Sequence, residues 1–390
     1  MNKRVLKPAQ LKIELEKCLH CAAKPCQKAC PVHCSPCDFI AAAKGGEWQK
    51  AAELIERQNP LAQSCGLICP DKFCQKACVR ANLDKAIKIP AVQAAIMQKA
   101  RAENYAAAEA VKQNGRKVAV IGSGPAGIGA AAVLLQQGFS VTVFEKNNQI
   151  GGALNLIPQE RLPREVIAAD WKKFAANPNL TIKLKVQVDN YESLLTQGFE
   201  AVIAAVGEQT CRTLNISGEE LSVSYVEYLS NPQKYQTGGN VAVVGGGEVA
   251  LDCALTAKRQ GGAVEMFVRR GLSNMRMGLD DYADLIDNGI NVTTMTRVSK
   301  IEKQNETLLT AYTVKTRFNA DGKLEDIPNT QIARPDFALI ILALGSSCRE
   351  NKTDNPRVIY AGDCVNGGST AVEAVASGKA AAQKFIEQNA

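Results

Sequence analysis

Ten of the fourteen cysteines in this 390-residue chain lie between Cys18 and Cys78, in two groups. The first runs Cys18-x2-Cys21-x4-Cys26-x3-Cys30-Pro31, the second Cys65-x3-Cys69-Pro70-x3-Cys74-x3-Cys78. Thiols gathered so densely form disulfides, bind zinc or hold iron–sulfur clusters. The basic N-terminus (Lys3, Arg4, Lys7) is followed by no apolar stretch of the secretory kind, so the expected setting is the cytoplasm, where thiols stay reduced. Structural zinc suits paired CxxC modules. The first group contains one such pair and the second none, and His20 and His33 are not at finger spacing. Three closely spaced cysteines with a further one before proline fit interleaved cubanes, in which the fourth thiolate serves the other cluster. The spacing therefore predicts two 4Fe–4S clusters, with zinc and plain structural thiols as competing readings. Ten cysteines exceed the eight that two all-thiolate cubanes require. Cys34, Cys37 and Cys65 sit outside the tightest runs, and Cys34-Ser-Pro-Cys37 is itself a CxxC that leaves a third metal site open.

Two glycine-rich turns carry a second chemistry. The first follows an apolar run, Val118-Ala-Val-Ile-Gly122-Ser-Gly124-Pro-Ala126-Gly127, and leads through a helical stretch to Val141-Thr-Val-Phe-Glu145. Glycines permit a tight turn and close approach to a pyrophosphate at the helix N-terminus. Glu145 ends the second strand, where a carboxylate can accept from ribose hydroxyls. The second turn is Val241-Ala-Val-Val-Gly245-Gly246-Gly247-Glu248-Val249-Ala250, followed by Val264-Glu-Met-Phe-Val268-Arg269-Arg270. Two arginines stand where the first unit has an acid. A guanidinium fork suits a 2′-phosphate that an acid would repel, which favours NADPH over NADH, unless the pair is simply a solvated turn. One flavin and one nicotinamide site are thus expected. A last segment, Val358-Ile-Tyr-Ala-Gly362-Asp363, precedes a helix opening near Thr370 and Ala371, and places a carboxylate and a helix N-terminus where a flavin chain and ring would lie. After residue 112 the cysteines include no CxxC, and Cys253 stands alone in a helical stretch, so a dithiol partner of the disulfide-reductase kind is not expected. No acid–base pair or nucleophilic triad stands out.

The elements that must position these residues follow from pattern. Residues 1–112 read helical apart from the cysteines, with Phe39–Gln58 and Pro90–Lys112 rich in Ala, Glu, Lys and Gln at helical spacing. From Val118 to about residue 346, short Val/Ile/Ala-rich strands alternate with helical stretches, the mark of parallel α/β architecture. Ala204-Ala-Val-Gly207 and Ala343-Leu-Gly345 end apolar strands and mark expected crossings between two domains. The fold class expected is α/β, with two Rossmann-like dinucleotide-binding domains preceded by a helical iron–sulfur domain. Its boundaries are 1–112, then 113–215 and 347–390 for the flavin domain, and 216–346 for the nicotinamide domain. With 46% hydrophobic and 22% charged residues the chain can bury a core, which excludes the disordered and low-complexity classes. The longest apolar run, Phe337–Leu344, suits one buried strand, so no membrane role is expected. Residues 1–112 hold 18 Lys and Arg against 10 Asp and Glu, whereas the rest hold 28 against 29. That basic excess coincides with the thiols and can balance thiolate charge. No nucleic-acid motif accompanies it.

Taken together, these residues resemble the small subunit of NAD(P)H-dependent glutamate synthase, and with it the N-terminal half, or bacterial flavin subunit, of dihydropyrimidine dehydrogenase. The resemblance runs from about residue 10 to 388, through the cysteine spacing, Gly122–Gly127, Ile157-Pro-Gln-Glu-Arg161-Leu-Pro163, the second glycine turn and Ala361-Gly362-Asp363. It implies one cluster on Cys18, Cys21, Cys26 and Cys78. The other would be held by Cys30, Cys69, Cys74 and Gln93, the last in Ile87-Lys-Ile89-Pro-Ala-Val-Gln93, where an ordinary helix glutamine is the alternative. FAD would contact Gly122, Gly124, Ala126, Gly127, Glu145, Gly152, Arg161, Gly362, Asp363, Thr370 and Ala371. NADPH, with NADH possible, would contact Gly245, Gly247, Glu248, Val249, Arg269, Arg270 and Arg276. The function implied is an electron-input subunit. It takes hydride from NADPH onto FAD and relays single electrons through the clusters to a larger FMN-containing catalytic subunit or a ferredoxin-type acceptor. No stretch is left over for a catalytic barrel of about 250 residues. A zinc-bearing, catalytically silent dinucleotide sensor is the reading from another class. The sequence departs from the family in three places: the Cys69–Cys74 gap is one residue short, Cys34 and Cys37 are extra, and Glu248 replaces a usual Asp.

Overall fold

The computed structural model describes residues 5–105, 111–235, 237–275, 277, 279–348 and 352–389. Six short helices open the chain: α1 (Pro8–Glu16), α2 (Pro25–Lys28), α3 (Pro36–Lys44), α4 (Trp48–Glu56), α5 (Ala62–Ile68) and α6 (Ile89–Ala102). The expected helical stretch 39–58 is broken at Gly45 and Gly46. Gly46 takes φ +82°, a left-handed turn that closes α3 and lets α4 fold back on it. The second stretch ends at Ala102; residues 106–110 lie outside the described residues. Phe39, Ile40, Ile55, Ile89, Val92, Ile96 and Met97 form the shared core of these helices, and Cys18, Cys26, Cys74 and Cys78 pack against its edge. The cysteines therefore sit on segments anchored by an apolar core but mostly free of regular structure themselves.

The chain continues as β1 (Lys117–Ile121), α7 (Pro125–Gln136), β2 (Ser140–Glu145), α8 (Arg164–Ala175), β3 (Leu180–Leu184), α9 (Glu192–Thr196) and β4 (Ala201–Ala204). Next come β5 (Thr210–Cys211), β6 (Val223–Ser224), α10 (Tyr225–Ser230), β7 (Asn240–Val244), α11 (Glu248–Arg259), β8 (Ala263–Val268), α12 (Leu279–Asp287) and β9 (Asn291–Thr294). It closes with β10 (Thr296–Lys303), β11 (Leu309–Phe318), β12 (Leu324–Asp326), β13 (Ile332–Leu342), β14 (Ser346–Ser347), β15 (Val358–Tyr360), α13 (Asp363–Asn366) and α14 (Ala371–Gln388).

These elements form two compact units. One comprises residues 1–155, 159–209 and 348–390, the other 156–158 and 210–347. In the first, a sheet of order β15-β4-β1-β2-β3 is parallel throughout. Its central strands β1 and β4 are near-continuous apolar runs buried on both faces, as the interior of a parallel sheet requires. α7 and α14 cross at two glycines. A Cβ on Gly129 would lie 2.4 Å from the Val375 carbonyl oxygen, and one on Gly378 would lie 1.9 Å from that of Ala126. Only glycine allows this approach, which brings the start of α7 against the middle of α14.

The second unit carries an eight-stranded sheet of order β10-β11-β13-β7-β8-β9, with β12 on β11 and β6 on β13. The β13, β7, β8 and β9 neighbours are parallel, whereas β10, β11, β12 and β13 pair antiparallel. Strand–helix alternation therefore stops near residue 294 rather than 346. The reason is compositional: β10 and β11 interleave buried residues such as Val298, Ile301, Ala311 and Val314 with charged residues that are partly or fully exposed, as antiparallel strands with one wet face do.

Candidate functional site

Cys18, Cys21, Cys26 and Cys78 line one pocket together with Cys37, Leu19, Val79 and Ile40. The pocket they line opens to solvent. Burial pushes the Cys26 thiol up to about 11; amide donation from Gln27 opposes this, and the nearby Cys78 and Cys18 sulfurs add to it. Sulfurs this close and this desolvated resist ionising unless a cation joins them. A polyvalent iron core supplies that cation, so the donor set fits a cluster.

Cys30, Cys69 and Cys74 form the second gathering, with Cys34 and Cys65 buried beside them at 3% and 1% exposure. Burial raises Cys74 to about 12, and Cys30 and Cys26 add to the effect. Cys69 is raised by its hydrogen bond to Cys65, by burial and by Cys74 and Cys30. Cys30 alone is lowered, to about 6, because the Cys34 thiol hydrogen-bonds it. Gln93 is buried on α6, and its Nε2 donates to the Ala62 carbonyl at 2.6 Å, which orients the carboxamide at the start of the α5 helix bearing Cys65. α5 and α6 touch at Gly66, where a Cβ would meet Ala94 N at 2.6 Å. The two cysteines of Cys34-Ser-Pro-Cys37 diverge: Cys34 faces the second gathering and Cys37 the first.

The first glycine turn is built around Glu145. Its Oε2 accepts from Ser123 N at 3.0 Å and Ser123 Oγ at 2.6 Å, and its Oε1 accepts from Asn147 N at 2.8 Å. A Cβ on Gly122 would strike the Ala205 oxygen at 2.5 Å, one on Gly127 the Gly122 oxygen at 2.0 Å, and one on Gly152 the Gly124 Cα at 2.9 Å. A Cβ on Gly362 would lie 2.7 Å from the Ala126 side chain. The turn, Gly152 and the β15–α13 corner are thus brought together as a backbone-lined cradle, which suits a pyrophosphate-bearing cofactor. Thr370 caps α14, accepting from Glu373 N and bonding the Glu373 carboxylate in return, with Ala371 as the first helical residue. Asp363 takes a hydrogen bond from Ser369 Oγ, and burial raises its carboxyl above the usual range. Arg161 is half-buried in the turn before α8.

In the second unit Gly245 is confined by the Ala343 oxygen, 2.3 Å from a would-be Cβ, and Gly247 caps α11 with Glu248 and Val249 in its first turn. Gly246 packs on Val268, a Cβ there coming within 2.7 Å of its side chain. Arg269 and Arg270 follow β8. Their carbonyls accept from Thr316 Oγ1 at 2.7 Å and Met295 N at 3.2 Å, which fixes the backbone from which both guanidiniums project. Among the described residues neither is ion-paired. Arg276 lies outside the described residues.

Sequence reasoning missed the residues that tie the cysteine helices to the first sheet. Asp170 on α8 is buried and accepts from Gln63 N at 3.2 Å and Ser64 N at 2.9 Å, capping α5, and it also pairs with Arg101. Lys379 on α14 donates to the Gln58 carbonyl at 2.7 Å, and Cys34 Sγ reaches the Ile55 carbonyl of the same helix end. Burial lowers the Lys379 ammonium, while Cys34 and Cys30 oppose that shift. Lys72 pairs with Glu373 at 3.7 Å. A lone acid or lysine inside an amphipathic helix carries no sequence signal of this kind.

Comparison with known proteins gives two family matches. Residues 116–378 match the pyridine nucleotide-disulphide oxidoreductase family, and residues 2–105 match dihydropyrimidine dehydrogenase domain II, 4Fe-4S cluster. The chain is 30% identical to the NAD-dependent dihydropyrimidine dehydrogenase subunit PreT of Escherichia coli O157:H7, covering 95% of this chain and 92% of that one. It is 29% identical to the glutamate synthase (NADPH) small chain of Escherichia coli K12, covering 97% and 91%. Among solved structures it shares the fold of Mycobacterium tuberculosis FprA in complex with NADPH, with a TM-score of 0.61, 17% identity, and coverage of 70% of this chain and 84% of that one. Among the described residues no helix is long and apolar enough to cross a membrane.

Proposed function

The chain belongs to the pyridine nucleotide-disulphide oxidoreductase family and is an NAD(P)H-dependent flavin and iron–sulfur oxidoreductase; from that premise we propose that it is an electron-input subunit. It takes hydride from NADPH onto FAD and passes single electrons through two 4Fe–4S clusters to a partner subunit of glutamate synthase or dihydropyrimidine dehydrogenase type. The observation that carries the reading is the coexistence, in one chain, of two separate thiol gatherings and two glycine-lined cradles. FAD accepts electrons in pairs and gives them up singly, and the clusters carry them on. The protein's part is placement. Cys18, Cys21, Cys26 and Cys78 would hold one cluster; Cys30, Cys69, Cys74 and Gln93 would hold the other. Gly122, Gly124, Ala126, Gly127, Gly152, Arg161 and Gly362 would seat the flavin, with Glu145 offering its remaining Oε1 lone pair to a ribose hydroxyl. The α14 N-terminus at Thr370 and Ala371 would face the ring, where amide dipoles favour the negative charge of reduction. Domains at 1–112, 113–215 with 347–390, and 216–346 accord with this division of labour.

One of these relatives is named as a subunit and the other as a small chain, which supports a partner that completes the reaction. One is named NAD-dependent and the other NADPH-linked, so the nucleotide preference must come from this chain's own residues. Arg269 and Arg270 support NADPH. The test is anaerobic: purified protein should contain flavin and acid-labile sulfide and reduce an artificial dye with NADPH. A colourless, zinc-bearing protein inert to both nucleotides would end the proposal. Arg269→Ala should raise KM for NADPH well above its effect on KM for NADH, and an equal effect on both would remove the 2′-phosphate assignment. Capture of the native partner, followed by NADPH-driven assays with glutamine plus 2-oxoglutarate and with uracil or thymine, separates the two subunit types. Reduction of ferredoxin alone would exclude both.

A further inference from the structure

The first pocket holds one thiol too many. Cys37 lines it alongside Cys18, Cys21, Cys26 and Cys78, although the family pattern gives it no task. Its place is set by α3, whose N-terminal turn begins at Pro36 and Cys37. Cys37 Sγ lies 3.5 Å from His20 Nδ1, and the ligand atoms of Cys18, His20 and Cys37 all fall within 4.8 Å of one another. Metal–sulfur bonds of about 2.3 Å let two thiolates on one metal ion stand at most ~4.6 Å apart. Cys18 and Cys37 stand no more than 4.8 Å apart in the same pocket, close enough for a small side-chain adjustment to bring either sulfur to one metal ion. The thiolates of a cubane bind different irons, so a cluster seated here can use only one of this pair at a given corner.

Resting on the cluster reading above, we infer that Cys37 is an alternate ligand to the iron assigned to Cys18, so that the first cluster has five thiols for four corners. The exchange is redox-neutral. The iron–Cys18 bond breaks and an iron–Cys37 bond forms. The proton leaving Cys37 ends on the freed Cys18 sulfur. His20 holds a left-handed backbone (φ +49°), a conformation costly for a non-glycine residue that persists where its surroundings impose it. That turn is what sets the imidazole beside both sulfurs. The companion extra thiol, Cys34, is turned to the other gathering and takes no part.

The experiment compares Cys18→Ala, Cys37→Ala, the double variant and Cys21→Ala as purified full-length proteins. Iron, acid-labile sulfide and the electron paramagnetic resonance of the reduced clusters are read, with bound flavin as the control for folding. Cys18→Ala should keep the wild-type iron and sulfide content with an altered resonance line shape. Cys37→Ala should match wild type. The double variant and Cys21→Ala should each lose half the iron and sulfide while keeping the second cluster's signal. If Cys18→Ala loses as much as Cys21→Ala, or if the double variant retains both clusters, the assignment falls. If Cys18→Ala is insoluble, Cys18→Ser with and without Cys37→Ala decides by the same comparison. Wild-type protein without acid-labile sulfide would sink the cluster reading itself, a result distinct from any of these.

Discussion

At the scale of single residues, the most heavily committed side chain in the first cradle is Glu145. An ionised carboxylate is an acceptor with about four lone-pair sites. Here three are taken by Ser123 N, Ser123 Oγ and Asn147 N, and the group is 4% exposed. The acid that follows a glycine turn was legible in the sequence, but its main bonds are to the turn itself. It braces the loop and leaves one site for a ribose. Glu145→Gln would set an amide NH2 against donors that already point inward. Hydrogen bonds to a charged group contribute about 1.5–3 kcal/mol each, so the variant should lose at least about 2 kcal/mol of stability. It should also release flavin during purification. Ser123→Ala removes one of the three donors and should lie between wild type and Glu145→Gln in both thermal unfolding and flavin content. If Glu145→Gln unfolds like wild type, the carboxylate is not bracing the turn.

At the scale of elements, close helix contacts set where ligands stand. Gly66 lies on α5 between Cys65 and Cys69, and it meets the backbone of α6 one residue after Gln93. A Cβ 2.6 Å from Ala94 N and 2.8 Å from its Cα cannot be absorbed by a side-chain movement. Gly66→Ala must push the helices apart, at about 1–3 kcal/mol for overpacking. On the two-cluster proposal, it should lower the iron held by Cys30, Cys69, Cys74 and Gln93 selectively. Gly45→Ala, where a Cβ meets only ordinary contacts of 3.5 Å or more, is the control and should leave the iron content unchanged. Legibility divides along the same lines. β1, β2, β7, β8 and β15 are apolar runs next to glycine turns, and sequence places them within a residue or two. The antiparallel strands β10 and β11 were hidden because each mixes charged with apolar residues, a pattern that turns informative only once the partner strand covers one face. The Cys34-Ser-Pro-Cys37 spacing was equally misleading as a joint site, since helix α3 starts between its two thiols and sends them apart.

At the scale of the molecule, an electron relay needs its centres held at fixed separations, and within the first unit that task falls to polar ties absent from any motif. Asp170 spans 106 residues of sequence to reach Ser64 and also holds Arg101, whose guanidinium bonds Gln63 as well. It thereby fastens both α5 and α6, the helices bearing Cys65 and Gln93, to α8 beside the first sheet. Removing Asp170 takes from the partly exposed Arg101 its shortest ion pair and leaves it only Glu56 at 4.0 Å, at a cost up to about 3 kcal/mol. Asp170→Ala also strips the cap from α5. Its effect should nevertheless be lopsided. On the proposed seating of the flavin, hydride uptake depends on the cradle around Gly122 and Glu145, which Asp170 does not touch, so rapid-mixing absorbance should show flavin reduction by NADPH at the wild-type rate. Transfer to the clusters depends on the helices that Asp170 fastens, so the later bleaching near 400–450 nm should slow and dye reduction should become less dependent on bound iron. Arg101→Met removes the cation but leaves the Asp170 cap on α5, and should show the same order of effects at smaller size. Equal slowing of both phases in Asp170→Ala would mean that the tie supports the whole unit and is not specific to the relay.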